Sequence, residues 1–289
     1  MIDILRQELY EIVNSLQLDG IKLIIGGGYG LVLRIEFIEN SGIETLMELP
    51  ETRSTNDLDI FLQTEIMVND KKLKQVRSVL EQRNYRAITG AEYLQFVREI
   101  RIENVAFEIK IDFLTRKIID EDLAKNVKQD ERRVKYRKEK IKLHAHTTPE
   151  ALTVEEYLTE VNIGKDDQEQ ACVYLPHPFS YLLLKLFAVR DCINSDNPYK
   201  QEKAGYHATD LYRILASITE EELKTAKTMK ERLNNGTPEE QGLLIEAKRI
   251  VGELFNDIDS GALLKVRQTF GNESKINVEM FRKELKELF

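Results

Sequence analysis

The sequence predicts an α+β fold, a mixed β-sheet with flanking helices in the N-terminal part and a helical bundle in the C-terminal part. Two observations carry this. Runs of strand length, some alternating and some continuously apolar, fall at 21–25, 57–62, 94–102 and 105–115, interleaved with helical spacing at 2–17 and 69–83. Beyond Pro176 the pattern is helical throughout, with the start signals Thr219-Glu220-Glu221-Glu222 and Thr237-Pro238-Glu239-Glu240.

Taken in order, Ile4, Leu5, Leu9, Ile12, Val13 and Leu16 form one helical face, ended by Asp19-Gly20. Ile21 to Ile25 reads as a short buried strand. It runs into Gly26-Gly27-Gly28-Tyr29-Gly30 and then the helix-like Leu31 to Phe37. Strand, glycine turn and helix can present backbone N–H groups to an anion, although no P-loop lysine follows and a plain tight turn is the competing reading. Residues 38–52 read as a loop with a short insert. Asn69-Asp70 caps a helix with Leu73, Val76, Val79 and Leu80 on one face, and Arg86 to Thr89 forms a short strand. Two antiparallel neighbours follow, joined at Glu103-Asn104. In the second, Phe107, Ile109, Ile111 and Phe113 share one face, and Glu108, Lys110 and Asp112 share the other. After Pro176-His177-Pro178 come helices through Asp191, around Asp210, and over 220–234, 238–256 and 277–288.

Composition narrows the class. The chain has 289 residues, 42% hydrophobic and 32% charged, enough for one large or two modest soluble domains. A net charge of −8 argues against a uniformly basic nucleic-acid-coating surface and permits a local basic patch. One such patch is 125–142, with nine Lys/Arg against three acids, readable as a phosphate-backbone contact or as a solvated face or linker. Cys172 and Cys192 give no disulfide framework, and no signal pattern opens the chain, so the expected location is the cytoplasm. The longest apolar run, Tyr181 to Val189, is interrupted by Lys185 and is too short for a bilayer, so no membrane partner is expected. His144-x-His146 lacks a nearby cysteine and does not read as a zinc site.

The chemistry concentrates at Thr52-Arg53-Ser54-Thr55-Asn56-Asp57-Leu58-Asp59-Ile60-Phe61-Leu62. Alternation points Asp57 and Asp59 the same way, with Leu58, Ile60 and Leu62 towards a core. Adjacent like charges repel and lose hydration, and a shared hard cation such as Mg²⁺ or Mn²⁺ relieves both costs. Asp112 adds a third acid near the end of a later strand, with Glu108 the competing candidate.

A glycine turn, Asp-x-Asp and a third acid together resemble the nucleotidyltransferase superfamily with a DNA polymerase β-type core. Gly27-Gly28-Tyr29-Gly30-Leu31-Val32-Leu33-Arg34 and Arg53-Ser54-Thr55-Asn56-Asp57-Leu58-Asp59 resemble the AbiEii-like branch, the toxins of abortive-infection and type IV toxin–antitoxin systems. The resemblance implies a catalytic core over 1–145 and a mostly helical domain over 146–289 that contributes Lys185 and Asp210. It implies metal ligation by Asp57, Asp59 and Asp112, and phosphate contacts by Gly27, Gly28, Arg53 and Lys185. Asp210 would be a further catalytic acid, or would orient Lys185 or Arg53. From the residues alone, Lys185 also reads as a snorkelling cation at a helix edge. The implied activity is transfer of NMP from an NTP to a hydroxyl on RNA, on a small molecule or on protein. A tRNA acceptor would lie against 125–142, and an antitoxin protein would restrain the enzyme. A nucleotide- or partner-binding module without turnover is the reading from another class. Two departures stand out. Lys203 or His207 occupies the place of the basic residue that the branch carries before Asp210. About thirty residues separate the glycine turn from Asp57, which implies an inserted loop near the site.

Overall fold

The computed structural model describes all residues except 1, 18–19, 54, 104, 138–140, 165–170 and 271–275. The readings that fall on Asp19, Ser54, Asn104, Lys138, Glu139 and Lys140 therefore lie outside the described residues. The chain divides into two compact units, one of 1–33 with 53–176 and one of 34–52 with 177–289.

The first unit is built on a mixed sheet of ten strands among the described residues. In chain order these are β1 (Leu23–Ile25), β2 (Asp57–Leu62), β3 (Arg86–Ala87), β4 (Gln95–Ile102), β5 (Val105–Arg116), β6 (Val127–Gln129), β7 (Arg133–Tyr136), β8 (Ala145–Thr148), β9 (Thr159–Asn162) and β10 (Cys172–Leu175). The main path runs β6-β7-β8-β5-β2-β1-β10-β9, and β4 pairs with β5 and β3 beside it. Three pairs are parallel, β1/β10, β2/β5 and β5/β8. The apolar alternation of β5 buries Ile109, Ile111 and Phe113, as its pattern predicts.

Helices α1 (Ile2–Gln17), α2 (Gly27–Ser41), α3 (Thr64–Met67), α4 (Asp70–Gln82) and α5 (Glu121–Ala124) accompany the sheet in sequence. The chain passes from the first unit to the second within α2, between Leu33 and Arg34. α4 begins where predicted because the Asn69 side chain accepts hydrogen bonds from the backbone N–H groups of Lys71 and Lys72. A buried acid ties α1 to its neighbours. Glu8 accepts from Arg83, Tyr85 and Arg98, with both of its oxygens 2.7 Å from Arg98 Nη1.

The second unit holds α6 (Pro178–Ile193), α7 (Pro198–Ala216), α8 (Glu220–Asn234), α9 (Pro238–Leu254), α10 (Gly261–Phe270) and α11 (Val278–Leu288). Both predicted capping boxes form, Thr219 with Glu222 and Thr237 with Glu240. Arg34 is buried here. It donates to both oxygens of Glu222 at 2.9 and 2.7 Å, to Ser217 Oγ at 2.8 Å and to the Ser217 carbonyl at 2.7 Å.

Three expectations come out differently. The thirty residues before Asp57 are not one inserted loop. α2 extends to Ser41, and the rest is anchored in the second unit by Leu46 N–H to Ile218 O at 2.7 Å and Met47 N–H to Ala216 O at 3.3 Å. A division at 145/146 falls inside β8, and the sheet continues to Leu175. The basic segment is neither a helix face nor a linker, since β6 and β7 pair antiparallel within it and bury Val127 and Val134. No described helix is long and apolar enough to cross a membrane.

Candidate active site

β2 and β5 run parallel in a register that sets Asp59 opposite Asp112 and Asp57 opposite Lys110. Paired strands lie about 4.8 Å apart, so two carboxylates start from neighbouring positions on one face of the sheet. The same register decides between the two acids of β5. Glu108 falls before the start of β2 and stands opposite Glu99 of β4. On its other side Asp112 faces Gln95. Directly opposed like charges weaken a sheet, and Lys110 offsets this only for Asp57.

The glycine turn closes over the same point. Gly26 N–H donates to Asp59 O at 2.8 Å, which extends the β1/β2 ladder by one step. Gly27 then takes φ of +60°, and a Cβ there would come within 1.8 Å of Asp59 Oδ2. Only glycine accepts both the backbone conformation and the carboxylate. At Gly28 a Cβ would meet Arg53 Nη2 at 2.9 Å. The first turn of α2 therefore carries the Asp59 carboxylate against Gly27 and the Arg53 guanidinium against Gly28. A helix N-terminus is partly positive and suits the carboxylate, and with Arg53 it suits a phosphate.

The donors Asp57, Asp59 and Asp112 are all oxygens, the chemistry of Mg²⁺ or Mn²⁺ sites. Among the described residues no group of three or more His, Cys, Asp or Glu side chains converges to hold a metal ion. Mg²⁺ is commonly held by one or two carboxylates together with substrate phosphates and water. The set fits an ion shared with a triphosphate and does not fit a cage made by protein alone.

Lys185 and Asp210 meet in the second unit, 2.8 Å apart and both buried. The reading of Lys185 as an edge cation is thereby corrected: α6 faces inward at this position, and a buried ammonium requires a partner. Asp210 has a second cation, Arg213 Nη1 at 3.3 Å, whose Nε donates to the Glu51 carbonyl at 2.7 Å. Arg213 was missed in the sequence, although Asp210 and Arg213 stand at helical i,i+3 spacing. Arg53, the alternative partner for Asp210, lies in the first unit against Gly28.

His177 caps α6, accepting from Phe179 N–H at Nδ1 over 3.1 Å. Burial pushes it down to about 4; nearby Glu222 pulls it up and Arg34 pushes it down. Burial pushes the Glu222 carboxyl up, and the Arg34 guanidinium outweighs this and holds it below its ordinary value. His144 and His146 do not form a metal pair with any third ligand among the described residues, and His144 packs edge-on to Tyr93.

No protein-family model matches the chain, and no curated protein matches it in sequence. Solved structures similar to it include ANT(2'')-Ia in complex with adenylyl-2''-tobramycin, at 13% identity and a TM-score of 0.39, covering 84% of this chain and 96% of that one. A solution structure of the antibiotic-resistance factor ANT(2'')-Ia matches at 11% identity and 0.35, over 81% and 99%. A nucleotidyltransferase-like protein from Paracoccidioides brasiliensis matches at 14% identity and 0.42, over 84% and 93%.

Proposed function

We propose that the chain is a metal-dependent nucleotidyltransferase that moves an NMP from an NTP to a hydroxyl of RNA. One observation carries the reading: Asp59 stands in register with Asp112, and Gly27 leaves room for the Asp59 carboxylate at the head of α2. Packing has no use for this arrangement, because it gathers like charge and takes a strained turn to do so.

In the proposed reaction the acceptor oxygen attacks the α-phosphorus, the bond from that phosphorus to the bridging oxygen breaks, and pyrophosphate leaves. Asp57, Asp59 and Asp112 would hold Mg²⁺, which when bound lowers the pKa of the hydroxyl and offsets phosphate charge. Asp112 takes the hydroxyl proton. Gly27, Gly28 and Arg53 bind the phosphates through N–H groups and a guanidinium. The resemblance gives Lys185 a contact to the triphosphate, which a rise in KM for NTP in Lys185→Met would bear out.

The acceptor is read as RNA because described cations of the 125–142 segment, among them Lys128, Arg132 and Arg137, are exposed beside the sheet edge β6. The finer reading follows from the motifs: an AbiEii-like toxin of the cytoplasm, acting on tRNA and held in check by an antitoxin protein. The test is label transfer from each α-labelled NTP to a tRNA pool with Mg²⁺, comparing wild type with Asp59→Asn. RNA labelled by wild type alone is the expected result. Equal labelling by both proteins would sink the carboxylate assignment, and no labelling by wild type would reject RNA as acceptor.

A further inference from the structure

We propose that Tyr199, Lys203 and Tyr206 on α7 form a stacking platform for a nucleobase and its adjoining phosphate. This deepens the nucleotidyltransferase reading and rests on it, because it names the surface that recognises a nucleotide unit. Counted from Tyr199, the positions i, i+4, i+7, i+11 and i+14 are Tyr199, Lys203, Tyr206, Asp210 and Arg213, a single stripe along the helix. The stripe changes character along its length. Asp210 is fully buried between Lys185 and Arg213, two cations on one carboxylate. Towards the N-terminus it emerges into solvent, with Tyr206 48% and Tyr199 64% exposed.

Two large rings left in water on one stripe with a cation between them are costly for a helix that needs only solubility. Lys203 Nζ sits 4.7 Å from the centroid of the Tyr199 ring. Lys200 is exposed on the adjoining turn, and Glu202, the only other acid of α7 besides Asp210, lies off the stripe. An aromatic face with a flanking ammonium matches a nucleobase, which stacks, and its phosphate, which pairs with the cation. The ring faces carry no hydrogen-bond code, so recognition would tolerate any base. The ligand is therefore either the unpaired end of the RNA acceptor or the base of the donor NTP, and the chemistry is common to both.

The experiment measures binding of a labelled single-stranded RNA of about ten nucleotides, long enough for one such surface, by fluorescence anisotropy. NTP binding in Mg²⁺ is measured separately. The proteins are wild type, Tyr199→Ala/Tyr206→Ala, Tyr199→Phe/Tyr206→Phe, Lys203→Ala and Asp59→Asn. Both tyrosines are exposed, so the alanine protein should melt like wild type. Each lost ring should weaken binding about tenfold, the phenylalanine protein should bind like wild type, and Lys203→Ala should reduce the salt dependence. A loss confined to RNA assigns the acceptor base to the platform, and a loss confined to NTP assigns the donor base. Unchanged binding of both ligands by the alanine protein overturns the proposal, as does wild type binding neither. Asp59→Asn should retain the RNA affinity. Tyrosine-dependent binding with no label transfer by wild type would leave the platform standing and reject the catalytic reading.

Discussion

Charge is handled in opposite ways by two regions of this protein. On the edge of β2 and β5, Asp59 faces Asp112 across the ladder, Asp57 is exposed, and Gly27 holds a left-handed turn to admit a carboxylate. In the helical unit, Asp210 is fully buried and meets Lys185 at 2.8 Å and Arg213 at 3.3 Å. The first arrangement accumulates like charge near solvent, where a cation and a triphosphate can balance it. The second is already balanced, and its burial makes the balance obligatory. Stability and chemistry should therefore respond oppositely when the two regions are mutated.

The largest effect should come from Asp59→Asn. Losing a metal-binding carboxylate removes several kcal/mol of transition-state stabilisation, so transfer should fall by about 10³-fold or more. Stability should stay level or rise, because a like-charge pair is relieved. Single-turnover rates beside urea midpoints read both quantities. A stability loss that matched the activity loss would mean that Asp59 is structural.

Lys185→Met should behave in reverse. It leaves Asp210 buried with only Arg213, and breaking a buried pair costs about 3–5 kcal/mol. The double variant Lys185→Met/Asp210→Leu should recover part of this, since no uncompensated charge remains. A single-variant cost below about 1 kcal/mol, the value of a surface pair, would end the contrast between the two regions.

The same contrast explains what could be read in the sequence. The acids of the sheet edge were legible because strand alternation is local: Leu58 and Ile60 point inward, so Asp57 and Asp59 point outward. Choosing Asp112 over Glu108 needed the register, which depends on pairing between strands far apart in sequence. The balanced cluster was only half legible. Lys185 looked like a misplaced cation until a helix 25 residues on supplied Asp210, and Arg34 is separated from Glu222 by 188 positions. β6 to β10 went unread because each has only three or four residues. In β6 and β7 a single valine apiece is buried, too few for any periodicity to emerge. The run 42–52 was read as an insert over the site because its hydrogen bonds go to Ala216 and Ile218, which sequence spacing does not reveal.

Acid should weaken the helical unit through His177. Burial holds its folded value at about 4, below the ordinary 6.5. Between these values the unfolded chain binds a proton that the folded chain does not, so stability is lost as pH falls through this window. Glu222 and Arg34 face the ring with opposite effects, and burial dominates both. The shift corresponds to roughly 3 kcal/mol between pH 7 and 4. His177→Asn keeps an acceptor for Phe179 N–H and removes the titration. The stability difference between variant and wild type, followed by chemical denaturation across that range, should change by about this amount. A flat difference would mean that His177 is protonated in the folded protein.

The smallest effect on stability separates strain from function by means of two glycines. Gly27 and Gly42 both have left-handed backbones, at φ of +60° and +62°. Alanine in this region costs about 1–2 kcal/mol, so Gly27→Ala and Gly42→Ala should start from the same penalty. They differ in surroundings. A Cβ at Gly42 meets nothing within 4 Å, and one at Gly27 meets Asp59 Oδ2 at 1.8 Å. The Asp59 side chain must move to make room, and displacing a catalytic group by about 1 Å can cost 10²-fold. Gly42→Ala should keep its transfer rate, and Gly27→Ala should lose about two orders of magnitude for a similar shift in urea midpoint. If both glycine variants retained transfer, the close approach of Gly27 to Asp59 would be a feature of the turn alone, and the sheet edge would lose the observation that most distinguishes it from the balanced cluster.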